Sequence, residues 1–207
     1  MPHPVLETPR LTLRPLRAGD EPSFLALAGD WEVARMTSDI PYPLMPSHAK
    51  DWLQPLEGDR RFAIELAGQM VGCVGYFQRR SGAAELGFWL GRHHWGFGFA
   101  TEAAAAVVRH GFCADGQSCF SSAHFADNPA SGRVLGKLGF AEAGRSRMWC
   151  SARGIEVDAV GFWLSRERAE VILGPLPDRH DFKASSTGRF GRWFDQARKA
   201  LKDQAQT

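Results

Sequence analysis

The residues of this sequence best suited to chemistry lie at Trp95-Gly96-Phe97-Gly98-Phe99-Ala100-Thr101. Gly96, Gly98 and Ala100 are small, so a ligand can come close to the backbone there. The apolar run Ala84–Leu90 precedes this turn and the alanine-rich run Thr101–Cys113 follows it, so the turn opens a helix. A helix N-terminus presents unpaired N–H groups and a partial positive charge. Together these make an anion site, most naturally for a phosphate or pyrophosphate. Glycines at a strand–helix junction also serve simply as turn formers, and the turn taken alone leaves both readings open.

Two familiar phosphate motifs do not fit. A Walker A loop ends in Gly-Lys-Ser/Thr, and none follows here. A dinucleotide fingerprint wants a third small residue where Thr101 stands and an acid about 20 residues on, at the tip of a parallel strand. Neither requirement is met, which weighs against an ATP- or NAD-using enzyme. His93 and His94 are adjacent and point apart on an extended segment, so they do not form a metal pair. His110 and His124 read as core or surface histidines. Cys73, Cys113, Cys119 and Cys150 lack CxxC spacing and each falls in an apolar segment, which predicts buried reduced thiols. No metal is expected.

The elements that must position the turn follow from pattern. Leu11–Leu16 alternates apolar and polar residues as a strand, and Asp20 is placed to cap a helix carrying Phe24, Leu25 and Leu27. Ser38–Pro46, with Pro41, Pro43 and Pro46, is a loop, after which Ser47 is expected to cap a short helix bearing Trp52. Phe62–Leu66 and Met70–Phe77 form a hairpin about Ala67-Gly68-Gln69. Cys119–Phe125 is a strand and Pro129–Leu138 a helix. Phe140–Cys150 and Ile155–Leu164 are strands about the turn Ser151–Gly154. The layout is mixed α/β: a mostly antiparallel sheet interrupted by strand–helix–strand units.

The 207 residues suffice for one domain with a sizeable core, and 44% hydrophobic with 23% charged residues is ordinary for a globular protein. A net charge of +2 argues for neither nucleic acid nor a membrane surface. No apolar run spans a bilayer, and Met1-Pro2-His3-Pro4 lacks the blocks of a signal peptide, so a cytoplasmic location is expected. The domain is placed at residues 1–170. Residues 171–207 read as an extension, with a linker around Ala184–Gly188 and a short basic amphipathic helix at Arg189–Gln204. That helix suits dimerisation or cover for a substrate cleft, and a poorly ordered tail is an equal expectation.

The sequence resembles the GCN5-related N-acetyltransferases, and within them the branch of ribosomal-protein N-terminal acetyltransferases. Five blocks carry the likeness in the family's order over about residues 8–166: Glu7–Pro15, Ile40–Pro43, Ala84–Leu90, Trp95–Ala103 and Asn128–Phe140. The resemblance implies a twisted, mostly antiparallel sheet in which two parallel strands splay apart, flanked by helices, with acetyl-CoA in the cleft. Backbone groups of Phe88, Trp89 and Leu90 would hold the pantetheine arm and acetyl group. The segment Trp95, Gly96, Phe97, Gly98, Phe99, Ala100 and Thr101 would hold the pyrophosphate, and Asn128 the pantetheine. The wider family often has Gln or Arg where Trp95 stands.

The implied reaction is direct attack of an amine on the thioester, in which the amine loses a proton and the thiolate can receive one. Glu85 stands where relatives carry a base glutamate, and it also suits binding of the substrate amine. Ser131 is the candidate acid toward the thiolate, or a cofactor contact. Many relatives use a tyrosine where Leu135 stands. Glu102, in the first helical turn, complements the helix dipole. Tyr42 is the best placed of the aromatic residues Trp31, Tyr42, Trp52 and Trp89 for substrate contact. The acceptor is an amine, on a protein N-terminus or a small molecule. The alternative reading is a non-catalytic domain of this kind that binds acetyl-CoA or a partner without turnover.

Overall fold

Two neighbouring strands run parallel in an otherwise antiparallel sheet, and that exception organises the fold. The computed structural model describes residues 4–54, 59–78 and 82–177. Its strands are β1 (Leu6–Glu7), β2 (Thr12–Pro15), β3 (Asp59–Leu66), β4 (Gln69–Gln78), β5 (Ala84–Leu90), β6 (Cys119–Phe125), β7 (Ala141–Cys150) and β8 (Ile155–Ser165). They form an eight-stranded sheet in the order β1-β2-β3-β4-β5-β6-β8-β7, with β5 and β6 parallel. The helices are α1 (Glu21–Ala28), α2 (Trp31–Ala34), α3 (Pro46–Leu53), α4 (Phe99–Cys113), α5 (Pro129–Lys137) and α6 (Arg166–Leu173).

The parallel pair needs a crossover, and α4 supplies it. Ala103, Ala104, Ala105 and Ala106 are buried with Val107 and Val108, so small side chains bring this helix close to the sheet. Gly111 belongs to the same fit: a Cβ there would lie 2.5 Å from Phe120 of β6. The other face of the sheet is covered by α1 to α3, where Phe24, Ile40, Cys73 and Trp89 share a second core. The β3–β4 turn is two residues, Ala67 and Gly68, at φ 49° and 81°. Both positive values match the right-handed twist of a hairpin.

Several local expectations change. Asp20 does not cap α1. Its carboxylate accepts from Arg14 at 2.7 and 2.9 Å and from the Arg17 N–H at 2.9 Å, tying β2 to the 3₁₀ turn Ala18–Asp20. Helix α3 begins at Pro46, so Ser47 lies inside its first turn. Cys73, Cys113 and Cys150 are buried free thiols, but Cys119 is only half-buried. Helix α6 crosses residue 170, and Leu173 and Leu176 are buried in the core against α4. The basic helix expected at Arg189–Gln204 lies outside the described residues.

Candidate active site

The parallel register of β5 and β6 is short. Ala84 pairs with Phe120 and Glu85 with Ser121, and the ladder goes no further. Beyond it the Ser122 hydroxyl donates to the Leu86 carbonyl at 2.9 Å, a side chain bridging where backbone contact has ended. The strands splay here. A cavity of about 500 Å³ occupies the opening, and Glu85, Phe88, Trp89 and Ser131 are among its walls.

Glu85 is half-buried. In register it stands between Phe77 of β4 and Ser121 of β6, and Ser121 in turn faces Trp163 of β8. Alternation puts Glu85, Gly87 and Trp89 on one face of β5. Gly87 is exposed, and a Cβ there would meet nothing within 4 Å, so the space between Glu85 and Trp89 is open.

The glycine turn connects β5 to α4 through a 3₁₀ turn, Arg92–His94. Trp95 Nε1 donates to the Leu90 carbonyl at 2.8 Å and fixes where the chain leaves β5. Gly96 and Gly98 have φ 83° and 80°. Cβ atoms at these positions would meet either nothing or ordinary contact, so these are glycines for conformation more than for space. Gly98 is the N-cap of α4 and makes no side-chain cap. The first α4 bond of the turn runs from the Glu102 N–H to the Gly98 carbonyl at 3.1 Å, and by helix geometry the amides before it have no acceptor within the helix.

Glu102 does more than complement the dipole. Its carboxylate is 4% exposed and accepts from the Thr8 hydroxyl at 2.7 Å, the Arg10 N–H at 2.9 Å and Arg10 Nε at 2.6 Å. Arg10 also donates to the Phe97 carbonyl at 3.0 Å and lies over the Phe99 ring at 4.7 Å. The segment before β2 is thereby locked to the glycine turn.

Asn128 is the N-cap of α5. Its Oδ1 accepts from the Ser131 N–H at 3.3 Å and its Nδ2 donates to Ser131 Oγ at 3.1 Å. Ser131 Oγ is thus an acceptor toward Asn128, which leaves its O–H to donate elsewhere.

Other wall residues escaped the sequence reading. Met36–Asp39 form one side, held by the β7–β8 turn: the Ser151 N–H and hydroxyl donate to the Ser38 carbonyl at 3.0 and 2.9 Å, and Arg153 Nε to the Arg35 carbonyl at 2.9 Å. His124 is half-buried in the wall, with Nδ1 2.7 Å from the Phe125 carbonyl. A Cβ on Gly132 of α5 would lie 2.6 Å from its Nε2, so α5 sits directly on this ring. Tyr76 also reaches the wall, but its hydroxyl donates to Asp115. Burial, then the Asp115 carboxylate, push this phenol well above its usual range, so it stays neutral. Tyr42 is 48% exposed, packs edge-on against Trp31 at 5.1 Å, and is not among the cavity walls, whereas Trp52 and Trp89 are. Among the described residues no group of His, Cys, Asp or Glu could hold a metal, and no helix is long and apolar enough to cross a membrane.

The pattern of an acetyltransferase (GNAT) domain matches residues 10–141. This chain belongs to the GNAT acetyltransferase family. It is 32% identical over 175 residues to the uncharacterized N-acetyltransferase p20 of Bacillus licheniformis, a match covering 79% of this chain and 98% of that protein. Its fold is similar to RimJ of Mycobacterium smegmatis in complex with CoA-disulfide, with TM-score 0.68 and 22% identity over 79% of this chain and 87% of the other. It is also similar to the spermidine N-acetyltransferase of Vibrio cholerae in complex with CoA and spermine, with TM-score 0.66 and 19% identity over 77% and 98%. The GNAT protein is an acetyl-CoA-dependent N-acetyltransferase. The splayed strands and the left-handed glycine turn fit that cosubstrate, offering a cleft for the arm and backbone amides for the phosphates.

Proposed function

We propose that this enzyme transfers the acetyl group directly to an amine, with donor and acceptor bound together in the splay of β5 and β6. The observation that carries the reading is that Glu85 and Ser131, on different elements, are walls of one cavity that opens where the parallel ladder stops. Glu85 takes the proton of the attacking amine, directly or through a water, and Ser131 gives one to the departing thiolate. The Asn128–Ser131 hydrogen bond supports that assignment, since it turns the serine O–H away from Asn128.

Backbone groups of Phe88, Trp89 and Leu90 hold the pantetheine arm and acetyl group, and the amides around Gly96–Thr101 hold the pyrophosphate. Holding both reactants in line supplies much of the rate. The acceptor is a small-molecule amine or a protein N-terminus, and we assign the chain to the RimJ/RimL-like branch, with action in the cytoplasm and the dimer as the form to test first. Tyr42 contacts the acceptor only outside the cavity walls.

The direct test is CoA release from acetyl-CoA with a panel of amines, in wild type and in Glu85→Gln with Ser131→Ala. Acceptor-dependent release that the double variant loses is the expected result. Full turnover in the double variant would overturn the assignment of both residues.

A further inference from the structure

Arg153 lies in the β7–β8 turn, which the Gly154 N–H closes onto the Cys150 carbonyl at 2.9 Å. Its side chain is only 15% exposed, and its guanidinium is committed in three directions. Nε donates to the Arg35 carbonyl at 2.9 Å, and Nη2 lies 3.7 Å from Met36 Sδ. Nη1 and Nη2 hold the two Asp127 carboxylate oxygens at 2.9 and 3.2 Å. The Phe125 ring lies against the guanidinium at 5.3 Å.

These partners belong to two parts of the cavity. Met36 and Phe125 are walls, and Thr37, Ser38 and Asp39 continue the Met36 side. Asp127 directly precedes Asn128, the N-cap of α5, whose Nδ2 donates to Ser131 Oγ, and Ser131 is another wall. Arg153 is not among the walls, so it acts on the cavity through the residues it holds. Arg35 reaches the same carboxylate at 3.6 Å, but its Nε is already on Glu32 at 2.9 Å. Exposed single-point ion pairs contribute little, whereas this pair is shielded and bidentate. A planar fork can hold both carboxylate oxygens on one edge and a carbonyl from Nε, which an ammonium cannot.

We propose that Arg153 is a positioning residue for acetyl transfer. It fixes the Met36–Asp39 wall relative to the Asn128–Ser131 cap, so that the acceptor side and the thiolate side of the cavity keep one spacing. This rests on the reading of that cavity as the transfer site, with Ser131 as the acid.

Arg153→Lys keeps the charge and loses the fork. Kinetics are read on whichever of 1,5-diaminopentane, glycinamide and trialanine the wild type acetylates. The variant should show a lower kcat and a higher acceptor KM, each by about tenfold, the scale of one charge-assisted hydrogen bond. Acetyl-CoA affinity by calorimetry should be unchanged. Asp127→Ala divides the two effects. It frees the α5 cap but leaves Nε on the Arg35 carbonyl, so kcat should fall while the acceptor KM stays near wild type. Adding Ser131→Ala to either variant should lower kcat little beyond Ser131→Ala alone, because the arginine reaches the thiolate side through that serine. A mere brace would give multiplying effects, or a lower Tm with unchanged kinetics. Thermal melts report the fold, and if Arg153→Lys does not fold, the non-additivity of Asp127→Ala decides, at a carboxylate 46% exposed. Unchanged kcat and acceptor KM in folded Arg153→Lys, multiplying effects, or an equal loss of acetyl-CoA affinity would overturn the proposal. Full kcat in Ser131→Ala would overturn the acid assignment, and the acceptor KM of Arg153→Lys then decides for the wall. No CoA release by the wild type with any amine would overturn the transfer reading beneath both.

Discussion

Arg10 and Glu102 lie 92 residues apart in sequence, yet the arginine places both its backbone N–H and its Nε on the glutamate carboxylate while its guanidinium holds the Phe97 carbonyl. One ion pair thus joins the start of the domain, the first turn of α4 and the glycine turn. Its consequence is mechanical. The turn needs a positive φ at Gly96 and again at Gly98, on either side of Phe97, and glycine is the residue that takes such values at least cost. Holding the Phe97 carbonyl from outside fixes the peptide between those two glycines.

Arg10→Ala should therefore act on the cofactor more than on the chemistry. The KM for acetyl-CoA should rise several-fold with a smaller change in kcat. The buried Glu102 carboxylate loses a charge-assisted hydrogen bond worth about 2 kcal/mol, a fall of roughly 5 °C in Tm. Steady-state kinetics and a thermal melt on the same preparation check both. An unchanged KM with a lowered Tm would make the pair structural only.

Glu85→Gln should lower kcat by about 10²-fold or more, the usual scale for general base catalysis, with acetyl-CoA affinity unchanged by calorimetry. Normal turnover across the pH range would remove Glu85 as the base.

Gly87 offers a cleaner probe of the acceptor side. The position is exposed, and a Cβ there meets nothing, so Gly87→Leu fills open space without disturbing the core. The KM for the acceptor should rise at least tenfold while acetyl-CoA still binds and protects against melting. Gly98→Ala should do the reverse. Its Cβ meets only Arg10 at 3.5 Å, so the cost is the left-handed φ of 80°, about 1–2 kcal/mol against the turn geometry. Acetyl-CoA binding should weaken, with acceptor KM little changed.

Much of this architecture was legible in sequence, and the reason differs by element. β5 and β6 matched their expected bounds, Ala84–Leu90 and Cys119–Phe125, because an apolar run between turn signals has few alternatives. Glu102 was legible as a helix N-terminal acid but not as the partner of Thr8 and Arg10, because that contact depends on where the chain returns in space. Asp20 went the same way: its type and position suit a cap, but Arg14 across a short turn outcompetes the helix amides. Helix α6 was missed because only Ala169 and Leu173 of it are buried, while its other apolar residues, Val171 and Ile172, are exposed among charged ones and blur the stripe. The cavity wall Asp39 carries no local signal, since only the contact of the β7–β8 turn with the loop before α3 brings that side into place, and His124 meets it from β6.

The last prediction concerns acid stability and a cluster remote from the glycine turn. Asp115 accepts from the Tyr76 hydroxyl and from Arg60 Nε at 2.9 Å, with His110 Nε2 at 3.6 Å. Burial alone would raise the Asp115 carboxyl, but the Tyr76 and Arg60 hydrogen bonds and the His110 and Arg60 charges outweigh it and hold it below its usual value. A carboxylate depressed in the folded state stabilises fully above its unfolded pKa and loses that contribution as pH falls through the folded value. Melting temperature should therefore decline on the acid side of about pH 4, the ordinary carboxylate range. Asp115→Asn should lower Tm at neutral pH and flatten that acid limb, because the group that titrates is gone. Asp20, held low by Arg14 and Arg17 against its own burial, adds a second contribution of the same sign. The slope should therefore fall in Asp115→Asn without vanishing. A Tm-against-pH series on wild type and variant decides it, and parallel curves would show that Asp115 does not govern the acid limb.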